Sequence, residues 1–191
     1  MTTMTDPYLP LGCKAHRGTV LHFLEDPGNE PEPAAGSVAF FEDGLLIEHH
    51  GKVLVAGDAS AWLHQLPEGT EVTHWKDQLI LPGFIDTHAH MPQLGVMASY
   101  GAQLLDWLET YTFPHEARFS DMDWARTEAN RFTDLLLRYG TTSGLVFCTS
   151  HPESVHALFE AGEQQGMALT AGKAMMDRHA PENLKDTAQS S

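Results

Sequence analysis

Residues 79–90 constrain this chain more than any other segment. They form an apolar, extended run, interrupted by Pro82-Gly83, that ends in His88-Ala89-His90. Side chains two apart on a strand project to one face, so the two imidazoles share a side. Two such rings can hold one divalent ion, with Zn–N distances of about 2.0–2.1 Å. The spacing alone decides little. With twelve histidines in 191 residues, a His-x-His arising by chance is roughly an even bet. The distinguishing feature is position: an apolar strand ends in the pair and a strand–helix series follows it. Asp86 shares the parity and reads equally well as a support for a ligand or for the fold. His49-His50 has the wrong period, and the eight remaining histidines stand alone as surface or loop residues.

The series after the pair is regular. Ser120 or Asp121 can cap a helix running to Tyr139, with Ala125, Ala129, Phe132, Leu136 and Tyr139 on one face. Gly140 is placed to end that helix as a left-handed residue. Residues 141–148 form an unbroken β-prone run, as buried parallel strands do. Pro152 suits the first turn of a second helix closing at Gly166, and residues 167–176 read as a third strand. Alternation at this spacing predicts an α/β fold with a parallel sheet and crossover helices. In a (β/α)8 barrel the C-terminal strand ends build the active site, which is where His88 and His90 stand.

The preceding residues read differently. Short β-prone runs at 19–23, 37–42, 45–48 and 52–56 are separated by a Pro/Gly/Glu-rich loop at 26–36, by Asp43-Gly44 and by Gly51. Such spacing predicts hairpins of a small β-unit, with a weak helical segment at 59–66. Two domains follow from this reading: a β-rich segment over 1–78 and a strand–helix segment over 79–191.

Acidic side chains outnumber basic ones by 26 to 11, a formal charge of -15. A field of that sign repels phosphate backbones and argues against nucleic acid as a partner. Cys13 and Cys148 are too few for a disulfide framework and suit a reducing compartment. The first thirty residues lack an apolar signal-peptide core, and no stretch approaches the roughly 20 apolar residues of a membrane span. The expected location is the cytoplasm.

Residues 82–90, Pro-Gly-Phe-Ile-Asp-Thr-His-Ala-His, resemble the first barrel strand of the amidohydrolase superfamily, and the β-rich stretch before them resembles its small β-sandwich domain. Met91-Pro92-Gln93, the run from Leu104 through Trp107 and Phe113 to Pro114, Tyr139-Gly140-Thr141-Thr142, and Gly172 through Asp177 narrow the likeness. In order and spacing this series is similar to guanine deaminases, most specifically over 81–180. Trp107 and Phe113 stay open between flat walls for a purine and ordinary core packing.

The resemblance implies a partial (β/α)8 amidohydrolase barrel of about three strand–helix units behind a small β-sandwich-type segment. It implies hydrolysis of guanine to xanthine and ammonia, with one Zn2+ per subunit (Fe2+ accepts the same imidazoles) and a homodimer. His88 and His90 become metal ligands, and Gln93 matches the family glutamine that hydrogen-bonds the purine; the bland alternative is a solvated loop residue. The metal would bring the pKa of a water from 15.7 towards about 7. In the family, two further histidines, an aspartate and a proton-shuttling glutamate come from later strands, and they find no counterpart before Ser191. Eight strand–helix units need roughly 200 to 400 residues, so the chain is expected to be a truncated barrel, inactive by itself and exposing a sheet edge. Lys173 invites comparison with the carboxylated lysine of two-metal relatives, but it falls on the third strand rather than the fourth and reads as structural. Two alternatives remain: an amidohydrolase for another nucleobase or a triazine, and a non-catalytic metal-binding remnant.

Overall fold

The computed structural model describes residues 8–190, which part into two compact units between Pro82 and Gly83. The first is built on β1 (Lys14–Phe23), β2 (Val38–His49), β3 (Lys52–Asp58), a short helix α1 (Ala59–Trp62) and β4 (Val72–Ile80). Among the described residues these strands form one sheet in the order β3-β2-β1-β4, antiparallel except for β4, which runs parallel to β1. Its core gathers Cys13, Ala15, Leu45, Ile47 and Ala59, all buried.

Two expectations change here. Asp43-Gly44 is not a hairpin turn; β2 runs straight through it, with Gly44 opposite Gly18 on one side and Asp58 on the other. Glycine is required at that point by close approach, since a Cβ on Gly44 would come 2.5 Å from Val20 Cγ2. Asp43 accepts two hydrogen bonds of 2.7 Å from the Arg17 guanidinium across the pair. Secondly, the run 79–90 is two strands in two sheets. Leu79 and Ile80 pair with Thr19 and Val20 and complete β4, and a new strand begins after Pro82, whose missing N–H cannot extend a ladder. The rest of β4, with His74, Lys76, Asp77 and Gln78, offers no apolar alternation; only its neighbour β1 makes it a strand.

The second unit comprises β5 (Phe84–His90), two single-turn helices α2 (Leu104–Trp107) and α3 (Phe113–Glu116), α4 (Met122–Arg138), β6 (Thr141–Phe147), α5 (Pro152–Gln165) and β7 (Ala168–Gly172). The strands are all parallel in the order β5-β6-β7, with α4 and α5 as the crossovers. The predicted caps are present. The Asp121 carboxylate accepts from the Asp123 and Trp124 N–H groups at 2.9 and 3.1 Å, and Gly140 and Gly166 sit at φ of 81° and 68°. Ala125, Ala129 and Phe132 of α4 pack with Ala157, Leu158 and Ala161 of α5 and Val146 of β6 in one buried cluster. Between α2 and α3 the chain passes through a wide turn at Leu108–Thr112, so residues 104–120 are nearly continuous helical structure. β7 is shorter than predicted and ends at Gly172, leaving Lys173 just past the strand. No helix among the described residues is long and apolar enough to cross a membrane.

Candidate metal centre

His88 and His90 stand at the C-terminal end of β5 with their Nε2 atoms 3.1 Å apart. The Asp86 carboxylate accepts the His88 backbone N–H at 3.0 Å, so it fixes the main chain at the pair. The ladder to β6 shifts register between Asp86 and Ala89, and the two rings, two residues apart on one strand, lie on the same face. In the restored register His90 lies opposite Phe147, whose ring stacks on the His90 imidazole at 4.9 Å and 20°, and meets His88 at 5.1 Å.

Two neutral imidazole nitrogens facing each other at this distance repel unless a proton or a cation lies between them. A separation of 3.1 Å subtends roughly 100° at an ion about 2.0–2.1 Å from each nitrogen, close to a tetrahedral corner. Partial burial, and then the neighbouring His88, hold the His90 imidazole below its usual pKa, which favours the neutral form that ligates metal. The donor set therefore fits a zinc-like ion. Among the described residues no third His, Cys, Asp or Glu joins the pair to make a three-ligand group.

β5 leads directly into a 3-10 turn, Met91–Val96, in which Met91 and Pro92 are buried and anchor the chain. Gln93, half-buried on this turn, lines a cavity of about 340 Å³ together with Asp86, His90, Leu94, Met97 and Phe132. The structure thus brings all three sequence-predicted site residues to one end of β5.

Residues 79–191 match the amidohydrolase family. The chain belongs to that family. This amidohydrolase-family chain is 47% identical over 178 residues to guanine deaminase of Escherichia coli (strain K12), an alignment covering 93% of the chain and 40% of that relative. The solved structure of guanine deaminase from Bradyrhizobium japonicum superposes with a TM-score of 0.81 at 37% identity, over 94% of this chain and 38% of that one. Guanine deaminase from C. acetobutylicum, solved with guanine bound in its active site, gives 0.71 at 26% identity, over 91% and 39%. The chain spans about two fifths of the length of the curated relatives it matches.

Two residues near this candidate centre carry no signal in the sequence. Phe147 looked like one more apolar position in a buried strand, and only the register places it on the imidazoles. Glu116 carried no signal, yet it is 8% exposed, and burial pushes its carboxyl up to about 7 against a hydrogen bond from Gln93 that favours the charged form. Lys173 donates to Asp186 at 3.0 Å and to the Ser190 carbonyl at 2.6 Å, which commits it to the segment after β7. Phe113 lines a larger cavity, about 970 Å³, with Leu105, Leu108, Pro181 and Lys185; neither histidine is among its lining residues. Cavity size is a poor guide here, because it is the smaller one that reaches His90 and Gln93. Trp107 packs on Gly101, where a Cβ would come 2.6 Å from its own.

Proposed function

We propose that this chain carries the first metal-binding strand and part of the purine pocket of a guanine deaminase, a hydrolase that converts guanine and water to xanthine and ammonia. The observation that carries the reading is the convergence of His88 and His90 Nε2 atoms at 3.1 Å beside Gln93. The 47% identical E. coli relative of that name supports it. The unit from Gly83 onward then supplies the opening strand–helix units of a (β/α)8 barrel, and the β-rich unit before it is a composite sandwich that also takes in residues 79–82.

His88 and His90 would hold one divalent ion, zinc or iron, since both accept imidazole nitrogen. Such an ion supplies the Lewis acidity that makes water a competent nucleophile near neutral pH. The chain's own residues do the positioning. Asp86 sets the main chain at His88, and Phe147 limits the rotation of both rings. Gln93 offers an amide donor and acceptor to a purine edge that carries both kinds of group. The partner is a small molecule rather than nucleic acid or membrane, and a cytoplasmic homodimer is the expected assembly.

The test is direct. Zinc or iron per chain is measured by elemental analysis, and ammonia release from guanine is compared with that from adenine, cytosine and ammeline in the complete protein that carries this chain. Metal at one per chain with turnover of guanine alone supports the reading. Turnover of another base or of the triazine in its place overturns the substrate, and stoichiometric metal with no ammonia from any of them supports a metal-binding remnant.

A further inference from the structure

Resting on the proposed role of Gln93, we propose that His115 is a positioning residue. Its imidazole stands where a side chain at position 95 would be, and so fixes the turn that presents Gln93 to the cavity beside His90. A distance carries this. A Cβ on Gly95 would lie 2.4 Å from Cε1 and 2.6 Å from Nε2 of the His115 ring, closer than non-bonded atoms approach. α3, which bears His115, packs against the turn Met91–Val96. Gly95 is not among the glycines of positive φ, so left-handed backbone does not call for a glycine there; the ring does.

The turn is held from two sides. Met91, Pro92 and Val96 are buried, and Leu94 packs against the core that contains Phe119 and Phe132. His115 covers Gly95 from the other side. That leaves Gln93 as the one polar side chain the turn gives to the cavity it shares with His90. Behind the ring the wedge is braced. Phe119, fully buried, meets His115 edge-on at 6.0 Å, and Trp124 does so at 5.9 Å. Arg118 in turn lies 3.3 Å over the Trp124 ring. The His115 Nε2 atom is buried and meets no hydrogen-bond partner among the described residues. Burial also holds the imidazole below its usual pKa, so the ring enters as a neutral, shaped body.

Position is what an amide that must both donate and accept requires. Hydrogen bonds weaken steeply once they leave the line of the donor, and a misplacement of about 1 Å can cost about 100-fold. With the core on one flank and His115 on the other, the main chain at Gln93 has nowhere to yield. The amide therefore meets one edge of its ligand in a fixed geometry. His115 does not line that cavity; it acts through Gly95 and Gln93, without touching the substrate.

Three readouts follow the contacts link by link. In the chain itself, urea midpoints are measured for the unsubstituted protein, Gly95→Ala, His115→Ala and the double variant. Gly95→Ala should lower the midpoint. In the His115→Ala background the same substitution should leave it level or raise it, because the new methyl enters space the ring has left. An unchanged midpoint in Gly95→Ala, or the same loss in both backgrounds, overturns the contact. Should His115→Ala not fold, His115→Asn takes its place, since the shorter side chain also withdraws from Gly95. The second readout is the Gln93 side-chain NH2 signal in 15N-resolved NMR, assigned by its loss in Gln93→Glu. It should shift or broaden in the His115 variant, and an unmoved signal overturns the positioning. In the complete protein the His115 variant should raise the guanine KM about tenfold, inside the roughly 100-fold that a 1 Å misplacement costs, with kcat and metal content within about twofold. In a Gln93→Ala background the same substitution should change KM by less than about twofold. An undiminished rise there, or matching losses of kcat and metal content, would mark His115 as merely structural and sink the proposal. A complete protein without guanine turnover removes the deaminase reading, while the first two readouts still decide whether His115 positions Gln93.

Discussion

The Phe147 ring lies 4.9 Å from the His90 imidazole and within 20° of parallel to it, and the same ring meets His88 at 5.1 Å. One aromatic side chain on β6 thereby restricts both imidazoles on β5 that are proposed to hold the metal. Rings held in one rotamer lose less entropy on binding an ion than rings free to turn. Phe147→Ala should weaken zinc binding to the chain by about tenfold, the lower end of what a supporting contact to a metal ligand contributes. Phe147→Leu, which keeps bulk, should fall between. Competition against a zinc-sensitive dye measures this, and equal affinities in all three would show that the stacking does nothing for the site.

Removing an imidazole removes a donor outright. His88→Ala or His90→Ala should each lower zinc affinity by more than the roughly 10–100-fold that follows loss of a supporting group. His49→Ala is the matched control. Its ring lies 3.9 Å from that of His50, yet the two are adjacent in sequence, where strand side chains alternate faces. Equal losses at His49 and His88 would mean that the binding measured is not at β5.

Glu116 makes folding stability depend on pH in a definite direction. Its carboxyl is pushed up to about 7 by burial in the folded chain, against an ordinary value near 4.3 when unfolded. Between those values the folded state holds the proton that the unfolded state has lost, so stability falls as pH rises from about 4.3 through 7. The full effect is on the order of 3 kcal/mol. Glu116→Gln should flatten this part of the profile and be the more stable protein at pH 8. Urea midpoints at pH 5, 6, 7 and 8 read it; parallel profiles for the two proteins would refute the buried, proton-holding carboxyl.

Asp121 is a local prediction that needs no site. Its carboxylate satisfies two otherwise unpaired N–H groups at the start of α4. Asp121→Ala should cost about 1 kcal/mol, and Asp121→Asn much less, since the amide oxygen still accepts. Equal denaturation midpoints for Asp121→Ala and the unsubstituted chain would count against the cap.

The sequence by itself determined whatever depends on neighbours along the chain. The period of α4, its Asp121 cap, the Gly140 and Gly166 ends, the strand after each helix, and the shared face of His88 and His90 all follow from spacing and φ preference. The resemblance to guanine deaminases was legible for the same reason, being carried by contiguous motifs. The tertiary structure decided what depends on partners distant in sequence. Pairing with β1 makes a strand of the polar residues in β4. Gly18 and Val20 across the ladder let β2 pass through Asp43-Gly44, where a local reading sees a turn. The β5–β6 register sets Phe147 against the histidines, and the packing of α3 brings His115 to Gly95. A residue 57 positions from His90, or 20 from Gly95, leaves no periodic trace on it; contact between them exists only once the backbone has brought two elements together, and that is an energy of packing rather than of sequence order.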